Sequence, residues 1–127
     1  MSRRRVLVVD DNELNLKLMT YLLATENVDI ATARDAMRAR QALAEQKPDL
    51  VLLDLQLPDM DGLQLTRLLR ADPSTADLLI VAVTAYAMKG DEERARAAGI
   101  DHYVTKPIAK DEFRKTIAHL LSRAPEV

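Results

Sequence analysis

The sequence predicts an α/β fold, a parallel sheet with helices on both faces. Three observations carry that expectation. Five short apolar runs alternate along the chain with five stretches of helical periodicity, the order expected of successive β-α units. Two of the runs, 50–53 and 78–83, are apolar at every position, as strands buried on both faces are. The chain has 127 residues with three glycines and five prolines, which suits one domain over residues 1–127, with its core at about 5–122 and no flexible linker. Right-handed crossovers follow from the alternation, but strand order does not.

The elements are justified in turn. Residues 6–9 form a β-branched first strand that ends at Asp10-Asp11. Asn12 is a good helix N-cap, and Glu13 suits the first turn. Leu14, Leu18 and Leu22, with Met19 and Leu23, recur at helical spacing and predict a first helix to about residue 24. Residues 27–32 alternate weakly, like an edge strand. Residues 35–46 form a second helix, stopped by Lys47-Pro48 because the residue before proline resists helical geometry. Residues 49–53 form the third strand, which delivers Asp54 into a loop turned by Pro58 and Gly62. A third helix spans 62–70 with Leu63, Leu65, Leu68 and Leu69 apolar, and Asp72-Pro73-Ser74 closes it. The fourth strand, 78–83, ends at Thr84. Residues 91–98 form a short fourth helix with Gly99 as its C-terminal cap. The fifth strand covers 101–105, and Lys106-Pro107 follows. The last helix, 110–122, presents Phe113, Ile117, Leu120 and Leu121 on one face. The tail from Arg123 is expected to fray.

Composition excludes several functions. The chain has no cysteine, so disulfides, thiolate catalysis and thiolate metal sites are ruled out. Hydrophobic content of 48% and charged content of 30% fit a globular protein. A net charge of −2 speaks against direct nucleic-acid binding. Arg3-Arg4-Arg5 is followed by too short an apolar run for a signal peptide, and no run reaches the ~20 residues of a membrane span. A cytoplasmic protein without a membrane partner is expected.

In a parallel sheet, Asp10-Asp11, Asp54, Thr84 and Lys106 all fall at one edge, where open α/β sheets bind ligands. Each residue has a plain explanation alone. The first pair caps a helix, Asp54 turns the chain, Thr84 finishes a strand, and Lys106 is a solvated lysine. Together they ask for more. Carboxylates about 4 Å apart repel by roughly 4 kcal/mol per pair at an effective dielectric near 20. Such a cluster needs a counter-charge, either Lys106 or a hard divalent ion such as Mg²⁺. The chemistry that follows is phosphoryl transfer. With Mg²⁺ screening the acids, Asp54 attacks phosphorus in line and becomes an acyl phosphate, while Lys106 and Thr84 bond phosphate oxygens.

These residues carry a family resemblance. Asp10-Asp11, Asp54 within Leu-Leu-Asp-Leu-Gln-Leu-Pro-Asp-Met-Asp-Gly, Thr84-Ala85 and Lys106-Pro107 closely resemble the receiver domains of bacterial two-component response regulators. The resemblance covers nearly the whole chain. Residues 84–92 look most like stand-alone receivers of the cell-cycle type and receivers of hybrid histidine kinases. It implies a flavodoxin-like fold with strand order 2-1-3-4-5, and a receiver of known structure serves as a standard illustration of that order. It implies that Asp54 is the phosphoacceptor, served by a histidine kinase or a histidine phosphotransfer protein. It implies Mg²⁺ held by Asp11, Asp54 and the Gln56 main-chain carbonyl, with Asp10 acting through water. It implies Thr84 and Tyr103 as a switch pair, Lys106 as the phosphate-sensing lysine, and a cis bond before Pro107. A downstream protein would read the fourth helix, fifth strand and fifth helix. Asn12, Leu14 and Asn15 would face the kinase helices, and a homodimer stays open. One region departs from the family pattern. Receivers often carry a glycine before the second helix, where this chain reads Ala33-Arg34-Asp35-Ala36-Met37-Arg38-Ala39-Arg40.

Smaller features are read on the same basis. Gln56 and Tyr86 flank the path of a hydrolysing water, and a bulky Tyr86 would prolong the acyl phosphate. His102 and His119 are isolated, as structural or solvated histidines are. Residues 88–94 read as a solvated helix start. The chain is expected to be a signalling module rather than an enzyme, acting only on its own phosphorylation and dephosphorylation. Two other readings compete. An aspartyl-phosphate phosphatase of haloacid dehalogenase type would carry an acid two residues after its nucleophile, where Gln56 stands, and a cap domain. A flavodoxin-like cofactor binder would want a phosphate-cradling loop where Asp10-Asp11 stands.

Overall fold

The structure, a computed structural model, describes residues 4–85 and 90–123. Strands β1 (Arg4–Val9), β2 (Val28–Ala33), β3 (Leu50–Asp54), β4 (Leu79–Thr84) and β5 (His102–Thr105) alternate with helices α1 (Glu13–Leu23), α2 (Ala36–Glu45), α3 (Gly62–Ala71), α4 (Asp91–Ala98) and α5 (Lys110–Arg123). All strands are parallel, in the order β2-β1-β3-β4-β5. This is the doubly wound order that the resemblance implied.

The period of two along each strand divides the apolar residues between two cores. Leu50 and Leu52 of β3 join Val6, Val8, Val81 and Val83 beneath α1 and α5. Val51 and Leu53 join Leu7, Val9, Ile80 and Ala82 beneath α2, α3 and α4. Every residue of β3 is buried, which explains why that run lacks polar alternation.

Several boundaries and stripes differ from expectation for physical reasons. β1 starts two residues early because Arg4 and Arg5 pair through their backbones with Val28 and Asp29. The Arg5 guanidinium reaches the Gln46 amide oxygen at 2.5 Å. β3 runs on to include Asp54, which pairs with Val83. In α1 the buried stripe is Leu16, Met19, Leu22 and Leu23. Leu14 lies on the opposite side and is 76% exposed. In α3, Leu68 faces solvent while Thr66 is buried, its hydroxyl donating to the Gly62 carbonyl at 2.9 Å. α5 reaches Arg123, where fraying was expected.

The stretch that lacks the expected glycine is capped twice. Asp35 accepts from the Arg38 amide at 2.7 Å. Asp59, from the loop after β3, accepts from the Ala36 and Met37 amides at 2.9 and 3.0 Å. At the opposite edge of the sheet, Arg70 ties three elements together. Its guanidinium donates to the carbonyls of Gly99, Ala76 and Leu78 at 2.6 to 2.9 Å. It also meets the Asp101 carboxylate at 2.8 Å. The same Asp101 oxygen accepts the Ile80 amide at 2.8 Å.

Candidate functional site

The C-terminal ends of β1, β3 and β4 and the residue after β5 meet at one edge of the sheet. Asp10 continues the β1 ladder, its amide donating to the Ala33 carbonyl at 3.0 Å. Its side chain is fully buried, and one oxygen accepts from the Asn12 amide at 2.9 Å. Asp11 beside it is exposed. Asp54 is 4% exposed, and one of its oxygens accepts from the Gln56 amide at 3.0 Å. The Lys106 ammonium lies between the buried acids, 3.1 Å from Asp10 Oδ2 and 3.2 Å from Asp54 Oδ2. Its backbone amide donates to the Thr84 carbonyl at 2.8 Å, which registers the lysine against β4. The Lys106–Pro107 peptide bond is cis.

Two buried acids thus share one ammonium. Burial pushes the Asp54 carboxyl above the ordinary range. The Gln56 amide works against that shift, the charge of Asp10 adds to it, and Lys106 opposes it by charge and hydrogen bond. One carboxylate oxygen each from Asp10, Asp11 and Asp54 lies within 4.8 Å of the others. An all-oxygen set with one exposed member and a surplus of negative charge fits a hard ion such as Mg²⁺, which keeps several waters.

The loop after β3 is closed at its base. The Gly62 amide donates to the Leu55 carbonyl at 3.0 Å, and Gln56 bridges Asp61 antiparallel. Gly62 is required by this approach, because a Cβ there would lie 2.6 Å from Leu55 Cα. Thr84 is fully buried, one position beyond the partner of Asp54. Tyr103 is half-buried opposite Ala82. It lines a cavity of about 670 Å³ with Leu55, Gln56, Leu57, Leu63 and Arg94. Its hydroxyl pKa is pushed up, first by burial and then by Asp91 and Glu92.

Tyr86 and residues 88–89 of the 88–94 run lie outside the described residues. His102 is half-buried in β5 and His119 is exposed on α5. Among the described residues neither joins a metal-binding cluster. Sequence reasoning missed two neighbours of the site. Arg34 reaches the Asp11 carbonyl at 3.4 Å. Asp59 has no role in the sequence reading beyond its place in the motif around Asp54. No local pattern signals a bond across 23 residues.

Comparison with known proteins follows the same lines. Residues 6–118 match the family model of the response regulator receiver domain. The polar-differentiation response regulator DivK of Brucella anthropi is 40% identical over 121 residues, covering 95% of this chain and 98% of that protein. DivK of Brucella ovis matches with the same identity and coverage. Among solved structures, a response regulator from Chloroflexus aurantiacus superposes with a TM-score of 0.90 at 25% identity, covering 96% of this chain and 100% of that one. The receiver domain of a Pseudomonas aeruginosa sensor histidine kinase, solved with magnesium coordinated in its active-site cleft, gives 0.85 at 28% identity, covering 95% of this chain and 99% of that one.

Proposed function

The chain belongs to the family of response regulator receiver domains, the phosphoacceptor modules of two-component signalling, and from that premise we propose that Asp54 is its acceptor. The observation that supports this most is the Lys106 ammonium bridging Asp10 and Asp54 beside a third acid. A phosphatase of haloacid dehalogenase type finds no support, since Gln56 stands where its acid would be and the relatives are receivers.

Asp10, Asp11, Asp54 and the Gln56 carbonyl hold Mg²⁺ in this reading. When bound, Mg²⁺ supplies charge neutralisation for the carboxylates and the phosphoryl oxygens. A carboxylate oxygen of Asp54 forms the new bond to phosphorus as the bond from phosphorus to the donor's imidazole nitrogen breaks. Lys106 then exchanges its carboxylate partners for a phosphoryl oxygen, and the Thr84 hydroxyl donates to another. The chain processes only its own acyl phosphate, so it signals without being an enzyme. Thr84 moving inward frees space for the Tyr103 ring, and the face of α4, β5 and α5 changes for a downstream protein. Moving that equilibrium from 1:99 to 99:1 requires about 5.5 kcal/mol of preference. The donor is a histidine kinase or phosphotransfer protein that docks at Asn12, Leu14 and Asn15, and the exposure of Leu14 supports this. The setting is cytoplasmic, and residues 5–122 form the core of one receiver domain.

Incubation with acetyl phosphate and Mg²⁺, read by intact mass, tests the acceptor. The parent gains one phosphoryl group, while Asp54→Asn and chelator-treated parent gain none. Labelling of Asp54→Asn to the parent's level overturns the assignment. Tyr103→Ala should keep the labelling and lose phosphorylation-dependent binding of the downstream partner. Retained binding removes the switch role.

A further inference from the structure

We propose that Asp59 is a positioning residue for the metal, pinning the loop that carries the Gln56 carbonyl to the first turn of α2. The inference rests on the reading above that Gln56 and the three acids hold Mg²⁺. The loop from Leu55 to Gly62 is tied at its base by the Gly62 amide and the Gln56–Asp61 bridge. Beyond those ties Leu57 and Met60 pack against the core, which leaves a polar fixing to be made. Asp59 supplies the fixing with both carboxylate oxygens, one on the Ala36 amide and one on the Met37 amide. Two bonds to successive amides of one helix set orientation as well as distance.

Asp59 serves the helix as well as the loop, since the buried Ala36 has its amide on it. Asp35 already caps α2, and Met37 is exposed enough for water to serve its amide. The first turn of a helix favours an anion, so the Asp59 carboxylate sits where the α2 dipole welcomes it. The Ala36 amide, with further help from Met37, holds its carboxyl below the ordinary range, so the clamp is formed at neutral pH. A metal site depends on partners that orient its ligands, and losing one such partner commonly weakens affinity tenfold or more. Here the partner is one loop segment removed from the ligand, so a smaller loss is expected.

The test is a calorimetric Mg²⁺ titration of the full chain, with thermal melts in metal-free buffer alongside. Asp59→Ala should weaken Mg²⁺ binding about three- to tenfold. It should slow acetyl phosphate labelling by the same factor at low Mg²⁺, and saturating Mg²⁺ should restore the rate. Asp59→Asn keeps one acceptor oxygen but turns an NH2 donor toward the other backbone amide, so it should recover only part of the affinity. Two results overturn the proposal. One is a folded Asp59→Ala with parental affinity, which would leave Asp59 a helix cap only. Another is an Asp59→Ala loss that disappears at high ionic strength, which would assign the effect to the charge of Asp59 alone. A parent that binds no Mg²⁺ instead refutes the metal reading, and the inference falls with it.

Discussion

The Asp54 carboxylate is a liability to the metal-free fold. Its pKa is raised, so the folded chain holds this proton more tightly than the unfolded chain does. The stabilising contribution is complete below the ordinary value of 3.8 and is lost as pH rises through the raised value. At neutral pH the ionised group shares Lys106 with Asp10, and neither acid is fully compensated. Asp54→Asn removes one claimant and leaves a one-to-one pair. In metal-free buffer at pH 7 it should gain on the order of 1 kcal/mol, a few degrees of Tm. The gain should shrink toward pH 4 and reverse with Mg²⁺, which stabilises the parent by mass action. An unchanged or lower Tm in chelator would mean that Lys106 satisfies both acids. These residues were legible in the sequence because parallel strands all present their C-terminal ends at one edge. Arg34 and Asp59 were not, because each acts between loops whose meeting has no local signature.

At the scale of elements, α4 shows why a weak helix persists. It is polar and short, with only Ala95 and Ala98 buried. Its first turn carries Asp91, Glu92 and Glu93 at the positive end of the dipole. Its C-terminus ends at Gly99 with φ 111°, where the carbonyl takes two donors from Arg70. Arg70→Ala should therefore cost about 2–3 kcal/mol by urea unfolding, since it strips charged donors from several carbonyls at once. Arg70→Lys should recover less than half of that loss, because an ammonium cannot reproduce the guanidinium fork. Full recovery would reduce the role of Arg70 to its charge. The α4 bounds were readable from sequence because Gly99 and the acidic first turn mark its two ends. The buried face of α1 was misread for the opposite reason. Leu14, Leu16, Leu18, Met19, Leu22 and Leu23 satisfy helical spacing there in two ways, and only packing against the sheet chooses Leu16 over Leu14.

Across the whole molecule, one sheet divides the interior into two cores, and neighbouring residues of β3 serve different ones. Leu52→Ala empties the α1/α5 side and Leu53→Ala the α2/α3/α4 side. Each should cost about 2–5 kcal/mol, measured by urea unfolding at pH 7. A value below 1 kcal/mol at either would mean that its core collapses around the vacancy. The strand alternation made the two-sided architecture visible in advance, but β1 standing between β2 and β3 came only through the family resemblance. Lys106 meets Asp10 across 96 positions of a 127-residue chain. A nascent polypeptide therefore possesses Asp10 and Asp54 well before it owns the cation that lies between them. Any product stalled or clipped ahead of Lys106 carries the two buried acids without the ammonium that lies between them.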